Sequence, residues 1–192
     1  MDSLTFAHNE EKVSKLKAIE IYDKNLLSDY KAGSFECLQF IHKHLFEDIY
    51  DFAGKIRTVN MSKGYTRFAS AIYINEAISQ VELMPQNTFE EIINKYIEMN
   101  MVHPFREGNG RATRIWLDHI FKHELKCVVD WSKIDKKKYL LAMELSIKSN
   151  TELAVLLKPA LTKDASRNVF MKGIDKSYDY EGYNLYKAQD LH

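Results

Sequence analysis

Apolar side chains recur along most of this chain at three- and four-residue intervals, the spacing of one buried helical face. Residues 10–31 carry Val13, Leu16, Ile19, Tyr22, Leu26 and Leu27 in a loose stripe, and Gly33-Ser34 reads as a stop followed by an N-cap. Leu38, Ile41, Leu45, Phe46 and Ile49 face one way on a second helix. Ile74, Ala77, Ile78, Val81 and Met84 form another, stopped by Pro85. Phe89, Ile92, Ile93, Tyr96, Ile97 and Met101 predict a helix from Phe89 to Met101, with Thr88 and Glu91 spaced as a capping box. Pro104 places the end of that helix at or just before His103. A broadly buried helix is expected to open near Arg111, through Ile115, Trp116, Leu117, Ile120, Phe121 and Leu125. Tyr139, Leu140 and Met143, then Leu153, Leu156, Leu157 and Leu161, supply two further faces. One stretch departs from this period: Ile56–Met61 reads as a strand, with Ser62-Lys63-Gly64 as a turn before Tyr65–Ala69. The fold class is therefore all-α, mainly helical, with one small β-hairpin. A lone hairpin is marginal in water, so this one is expected to bind something.

Length and composition narrow the picture. The chain has 192 residues, one domain (1–192) by length, and 45% of them are apolar, enough for a real core. Basic and acidic side chains number 27 each, and zero net charge argues against bulk electrostatic binding to nucleic acid or to an anionic membrane. No run approaches 18 apolar residues, and Met1–Glu11 has no signal-like apolar region. Cys37 and Cys127 lack metal or CxxC spacing, so a reducing cytoplasm is the simplest setting. His42 and His44 lie on the second helix without a nearby carboxylate or cysteine, and read as core-edge or surface residues rather than metal ligands.

The chemistry concentrates between His103 and Arg114, in His-Pro-Phe-Arg-Glu-Gly-Asn-Gly-Arg-Ala-Thr-Arg. Gly108-Asn109-Gly110 tolerates positive φ. Amides converging in such a turn, together with the positive end of the next helix dipole, make an anion site. Arg111 and Arg114 stand three apart, on one side of that helix, placed to clamp further phosphates. Glu107 would be repelled there unless a divalent cation intervened, and Mg²⁺ binds through one or two carboxylates plus substrate phosphates. His103 alone in the stretch can take a proton near neutral pH. These residues describe a cradle for a nucleotide and Mg²⁺ with a base at its rim.

The string His103-Pro-Phe-x-Glu-Gly-Asn-Gly-Arg-x-x-Arg114 resembles the signature of the Fic (filamentation induced by cAMP) family. The similarity extends over Phe40–Gly54 and Lys55–Ala69. The resemblance implies a helical enzyme that transfers AMP from ATP to a hydroxyl side chain (Tyr, Ser or Thr) of a target protein. His103 would be the general base and Phe105 a core anchor. Glu107 would hold Mg²⁺. Gly108, Asn109, Gly110 and Arg111 would bind phosphates, and Arg114 would reach the β/γ end of ATP. The hairpin would be the flap over the nucleotide, docking an extended target segment by strand addition. Lys63, Gly64, Tyr65 and Thr66 would approach the nucleotide there, and Phe68 would clamp the target. Asn100, one turn before His103, is a further candidate, as a site contact or a helix-end cap.

Ser177-x-x-x-Glu181-Gly182 matches the family's inhibitory-helix pattern, in the C-terminal place of the short bacterial members. The resemblance makes residues 172–192 an autoinhibitory helix and tail, with Glu181 paired to Arg114 in the room of the γ-phosphate. Tyr178, Tyr180 and Tyr183 crowd that segment, and AMP on Tyr178 or Tyr183 would release the brake. Removal of AMP at the same site and a catalytically silent binding module are the alternatives. Type II topoisomerase subunits as targets and self-association into homo-oligomers are implied by resemblance alone.

Overall fold

The computed structural model describes residues 3–64 and 66–191. In chain order these hold α1 (Ser3–Asp23), α2 (Phe35–Phe46), a hairpin of β1 (Ser62–Lys63) and β2 (Thr66–Arg67), and α3 (Ile74–Leu83). Next come α4 (Phe89–Val102), α5 (Asn109–Leu125), β3 (Val128–Val129), α6 (Lys136–Leu145), α7 (Thr151–Leu157), β4 (Leu161–Thr162) and α8 (Arg167–Tyr180). α5 is the axis. It packs on α4 and α2, while α1 lies across α2 and α8. Ile41, Leu45, Tyr96, Trp116, Leu117 and Phe121 are all 0% exposed and fill the space between α2, α4 and α5.

Local chemistry explains most boundaries. Ser34 caps α2 by accepting from the Cys37 amide at 3.2 Å, directly after Gly33 at φ 78°. The Thr88–Glu91 capping box opens α4 with both of its bonds formed. α1 differs from the expected 10–31 span. It starts at Ser3 and ends at Asp23, because Asn25 takes the left-handed conformation and the Leu26 amide closes back on the Ile21 carbonyl at 3.0 Å. α8 begins at Arg167, five residues before the expected tail boundary of 172.

The strand expected over Ile56–Met61 does not form. The hairpin pairs Ser62 with Arg67 and Lys63 with Thr66, so two residues of the expected turn are strand and Gly64 (φ 57°) turns the chain. The reason is Arg57. Its amide donates to the Pro104 carbonyl at 2.9 Å, which ties this stretch to the loop after α4 instead of to a second strand. A second two-stranded pair, β3 with β4, joins the chain after α5 to the chain before α8. No alternation of apolar and polar residues announces such two-residue strands. Two-residue strands suffice here because the pair lies on α5, with Val129 at 1% exposure.

Beyond α8 the chain is tied to α1 through buried charge. Lys15, 1% exposed, pairs with Glu11 at 3.0 Å and Asp175 at 3.1 Å and donates to the Tyr186 carbonyl. Glu11 accepts from the Leu185 and Tyr186 amides, and Asp175 from that of Ala188. Each charge there has a partner, the condition under which burying it is tolerable. α8 is thus held at both faces, against α1 and against Trp131.

Candidate active site

α4 ends at His103, which takes the left-handed conformation (φ 50°, ψ 63°), and α5 starts one residue after Gly108 (φ 76°). Of the three turn residues only Gly108 has positive φ; Asn109 and Gly110 are already helical. Gly108 is required for a second reason, since a Cβ there would stand 2.4 Å from the Phe46 ring. The loop between the helices is braced from inside. Asn109, 3% exposed, accepts from the Phe105 amide at 2.9 Å and donates to the Phe105 carbonyl at 2.8 Å. Its side chain therefore shapes the loop rather than reaching out of it. Phe105 is fully buried, as the anchoring role requires.

His42 lies beneath the loop, 0% exposed, stacked on Phe105 with centroids 3.8 Å apart. The Gly54 amide donates to its Nδ1 at 2.9 Å, so Nε2 carries the hydrogen and donates to the Glu107 carbonyl at 2.8 Å. Burial, with a smaller effect of the Arg111 charge, pulls its pKa down to about 4, and the ring is neutral. The histidine read as a core-edge residue is the floor of the signature loop. Its spacing along α2 gave no sign of this, because both partners are backbone groups from distant segments.

Arg57 is the second residue that the sequence did not flag. At 2% exposure it donates to four carbonyls: His103 at 2.7 Å, Val59 at 2.6 Å, Ala69 at 2.6 Å and Val102 at 3.1 Å. One guanidinium thus joins the base of the hairpin to the end of α4. Directly above, the Phe68 ring lies flat on the His103 ring, centroids 3.7 Å apart and 10° from parallel. Phe68 at this position covers the imidazole. Burial first, then the Arg57 charge, pulls the His103 pKa down to about 4, against a hydrogen bond to the Asn100 backbone. The Asn100 side chain caps its own helix, donating to the Tyr96 carbonyl at 2.8 Å. Lys63 is exposed on the hairpin, and its charge bears on both His103 and Glu181. Gly64 is exposed and Thr66 half-buried beside it. Tyr65 lies outside the described residues.

The two arginines of the signature part company. Arg111, 1% exposed, turns inward beneath the rings of Phe46, Tyr178 and Tyr183 and pairs with Glu10 of α1 at 2.8 Å. Its guanidinium is not presented to the mouth of the loop; its reach there is the 3.5 Å approach to Glu107. Glu107 itself is 56% exposed and accepts from the Gly108 amide at 3.0 Å. One open carboxylate at a helix N-terminus is a donor set that Mg²⁺ accepts when phosphates supply the remaining oxygens, so the residues fit that ion.

Arg114 faces α8. Its Nε donates to the Ser177 hydroxyl at 2.7 Å, and Nη2 to the Ser177 carbonyl at 2.9 Å and to Glu181 Oε1 at 2.8 Å. Tyr139 and Tyr180 flank the guanidinium. Burial pulls the Glu181 carboxyl up, but the Arg114 charge and hydrogen bond outweigh it and hold the group below the usual range. Glu181 Oε1 also lies 2.3 Å from where a Cβ on Gly110 would stand. The carboxylate thus sits at the N-terminus of α5, where the helix dipole favours an anion. Gly182 (φ 91°) follows as the left-handed residue that ends α8. Tyr178 is 0% exposed under Arg111, so AMP cannot reach its hydroxyl while α8 is docked. Tyr183 is half-buried and donates to Glu10 at 2.9 Å.

A helical domain with this helix–loop–helix, a neutral imidazole on one side and an anion-seeking helix end on the other, is similar to the Fic/DOC family, whose model matches residues 34–121, a little under half of the chain. Among relatives, 80% of the chain aligns with the protein adenylyltransferase VbhT of Bartonella schoenbuchensis at 28% identity, covering 37% of that protein. A probable protein adenylyltransferase Fic of Salmonella typhimurium is 36% identical over 94 residues, 43% of this chain and 47% of that one. The chain thus spans about half or less of the length of these two curated relatives. The fold is that of a BepC protein from Bartonella tribocorum solved with bound AMPPNP, with a TM-score of 0.67 at 20% identity over 84% of this chain and 88% of that one. None of the described helices is long and apolar enough to cross a membrane.

Proposed function

We propose that this chain is a protein adenylyltransferase that transfers AMP from ATP to a Tyr, Ser or Thr hydroxyl of a target protein, and that its own C-terminal helix holds it in check. The observation that carries the reading is the place of Glu181. The chain's own carboxylate occupies the helix N-terminus and the Arg114 guanidinium, the two features that suit a terminal phosphate. The names of the relatives and the AMPPNP of the BepC structure support it.

With ATP bound, His103 takes the proton of the incoming hydroxyl, the oxygen attacks the α-phosphorus in line, and pyrophosphate leaves. A base must be neutral to act, and burial beside Arg57 keeps the imidazole so at pH 7. The negative triphosphate offsets the Arg57 and Lys63 charges and raises the basicity of the ring as the substrate arrives. Amides at the start of α5 and Arg114 receive the phosphates. Glu107 is the residue that would hold Mg²⁺, which when bound supplies neutralisation of phosphate charge. Arg111 acts from behind, setting the loop rather than gripping phosphate. The hairpin edge takes the target segment by strand addition. Type II topoisomerase subunits are the targets to assay first.

The test is α-labelled ATP with Mg²⁺ and a target lysate, in a Glu181→Gly background. His103→Ala there should lose about 10²–10⁴-fold in transfer while ATP binding persists. Transfer at the parent rate would remove His103 as the base and the reading with it.

A further inference from the structure

A cavity of about 320 Å³ runs along the other side of α5, away from the hairpin. Its walls come from α1, α5, the stretch around β3 and α8, with Ile21, Ile115, Val129, Trp131, Phe170 and Ile174 supplying apolar surface. The volume falls at the lower end of the small-molecule range, and a mostly apolar wall with few polar groups is the usual character of such sites. The Arg114–Ser177 contact is also part of its lining, so the cavity adjoins the inhibitory residues without including Glu181 or the phosphate loop.

The polar group that decides its chemistry is Asp118. Its Oδ1 accepts from the Val129 amide and its Oδ2 from the Trp131 indole, each at 2.8 Å. Both donors are neutral, and each oxygen keeps a second acceptor site. Among the described residues Asp118 forms no ion pair, although His119 and Lys122 also line the cavity. Burial lifts the Asp118 carboxyl to about 7, against these two hydrogen bonds. The buried carboxylates of Glu10 and Glu11 have cations, whereas Asp118, half-buried, lines the cavity without one.

We infer that this cavity binds a small primary amine with an apolar, preferably aromatic, body, its ammonium paired with the Asp118 carboxylate. The apolar part displaces water from the walls, and the cation supplies the missing counter-charge. Binding here is read directly, without nucleotide.

The test is titration of the ¹⁵N-labelled chain with benzylamine and, separately, with its neutral isostere benzyl alcohol. Benzylamine should shift the Val129 amide, the Trp131 indole and the Gly173 amide with one-site saturation, and benzyl alcohol should bind at least about tenfold more weakly, the loss of one charge-assisted contact. Asp118→Asn should bring the amine down to the alcohol. Because that variant sets two donors against each other and can unfold, Val169→Trp, which fills the cavity from α8 and leaves Asp118 in place, should abolish binding of both. Equal binding of amine and alcohol, no shift at Val129 and Trp131, or saturation unaffected by Val169→Trp would each overturn the proposal.

Discussion

Replacing Glu181 with Gly should make the protein less stable and a better enzyme, and the opposite signs are what make the experiment informative. The substitution removes the 2.8 Å contact from Arg114 Nη2, between side chains 4% and 24% exposed. A hydrogen bond to a charged group nets about 1.5–3 kcal/mol. Arg114 is not orphaned, because the Ser177 hydroxyl and carbonyl still hold it at 2.7 and 2.9 Å. The loss should therefore stay in that range and lower Tm by roughly 3–12 °C for a chain of this size. The start of α5 is meanwhile vacated for phosphate. A misplacement of 1 Å at a reacting centre costs about 10²-fold, so correct seating of the triphosphate should raise transfer by about that factor or more. Incorporation of label from α-labelled ATP, wild type against variant, gives the rate, and thermal unfolding gives the cost. A lower Tm with an unchanged rate would show that the pair is only structural and refute the inhibitory reading.

Arg57→Met should cost roughly 3 kcal/mol or more in urea unfolding, since four carbonyls, on residues from buried Val102 to exposed Val59, lose a charged donor, and a loss below about 1 kcal/mol would contradict the pinning role. The same variant should raise the His103 pKa, followed by NMR, because a positive neighbour is gone. Gly108→Ala should cost about 2–4 kcal/mol from positive φ and the clash with Phe46, and a near-neutral effect would mean the ring moves aside freely. His42 makes stability pH-dependent. Its folded pKa, about 4, lies below the ordinary 6.5, so its contribution is complete above about pH 6.5 and is lost as pH falls through 4. At 1.36 kcal/mol per pH unit that is about 3 kcal/mol, and urea unfolding of wild type and His42→Gln across this window should converge by about that amount on acidification.

Helices with a single dominant face were legible wherever local signals agreed. Thr88 with Glu91, Gly33 with Ser34 and Pro85 all mark real boundaries, because capping and backbone restriction act within a few residues. The signature loop was legible for the same reason: histidine, glycine turn and helix start are adjacent in sequence. Ile56–Met61 misled, since Arg57 ties this stretch to the loop after α4 instead of to a second strand and leaves Thr58 and Val59 exposed. β3 and β4 gave no signal at all, being two residues each and separated by α6 and α7.

Sequence alone determined the class of fold, the place of the anion-seeking helix start and the position of the imidazole beside it, all of which depend on order and spacing along a few turns. Only the tertiary structure decided which arginine faces the site and which is buried against Glu10, that His42 and Arg57 hold the loop, and that Phe68 lies on His103. Those assignments join residues from distant segments, and a helix offers each side chain to whichever neighbour packs against it. Periodicity gives the face; the fold supplies the partner.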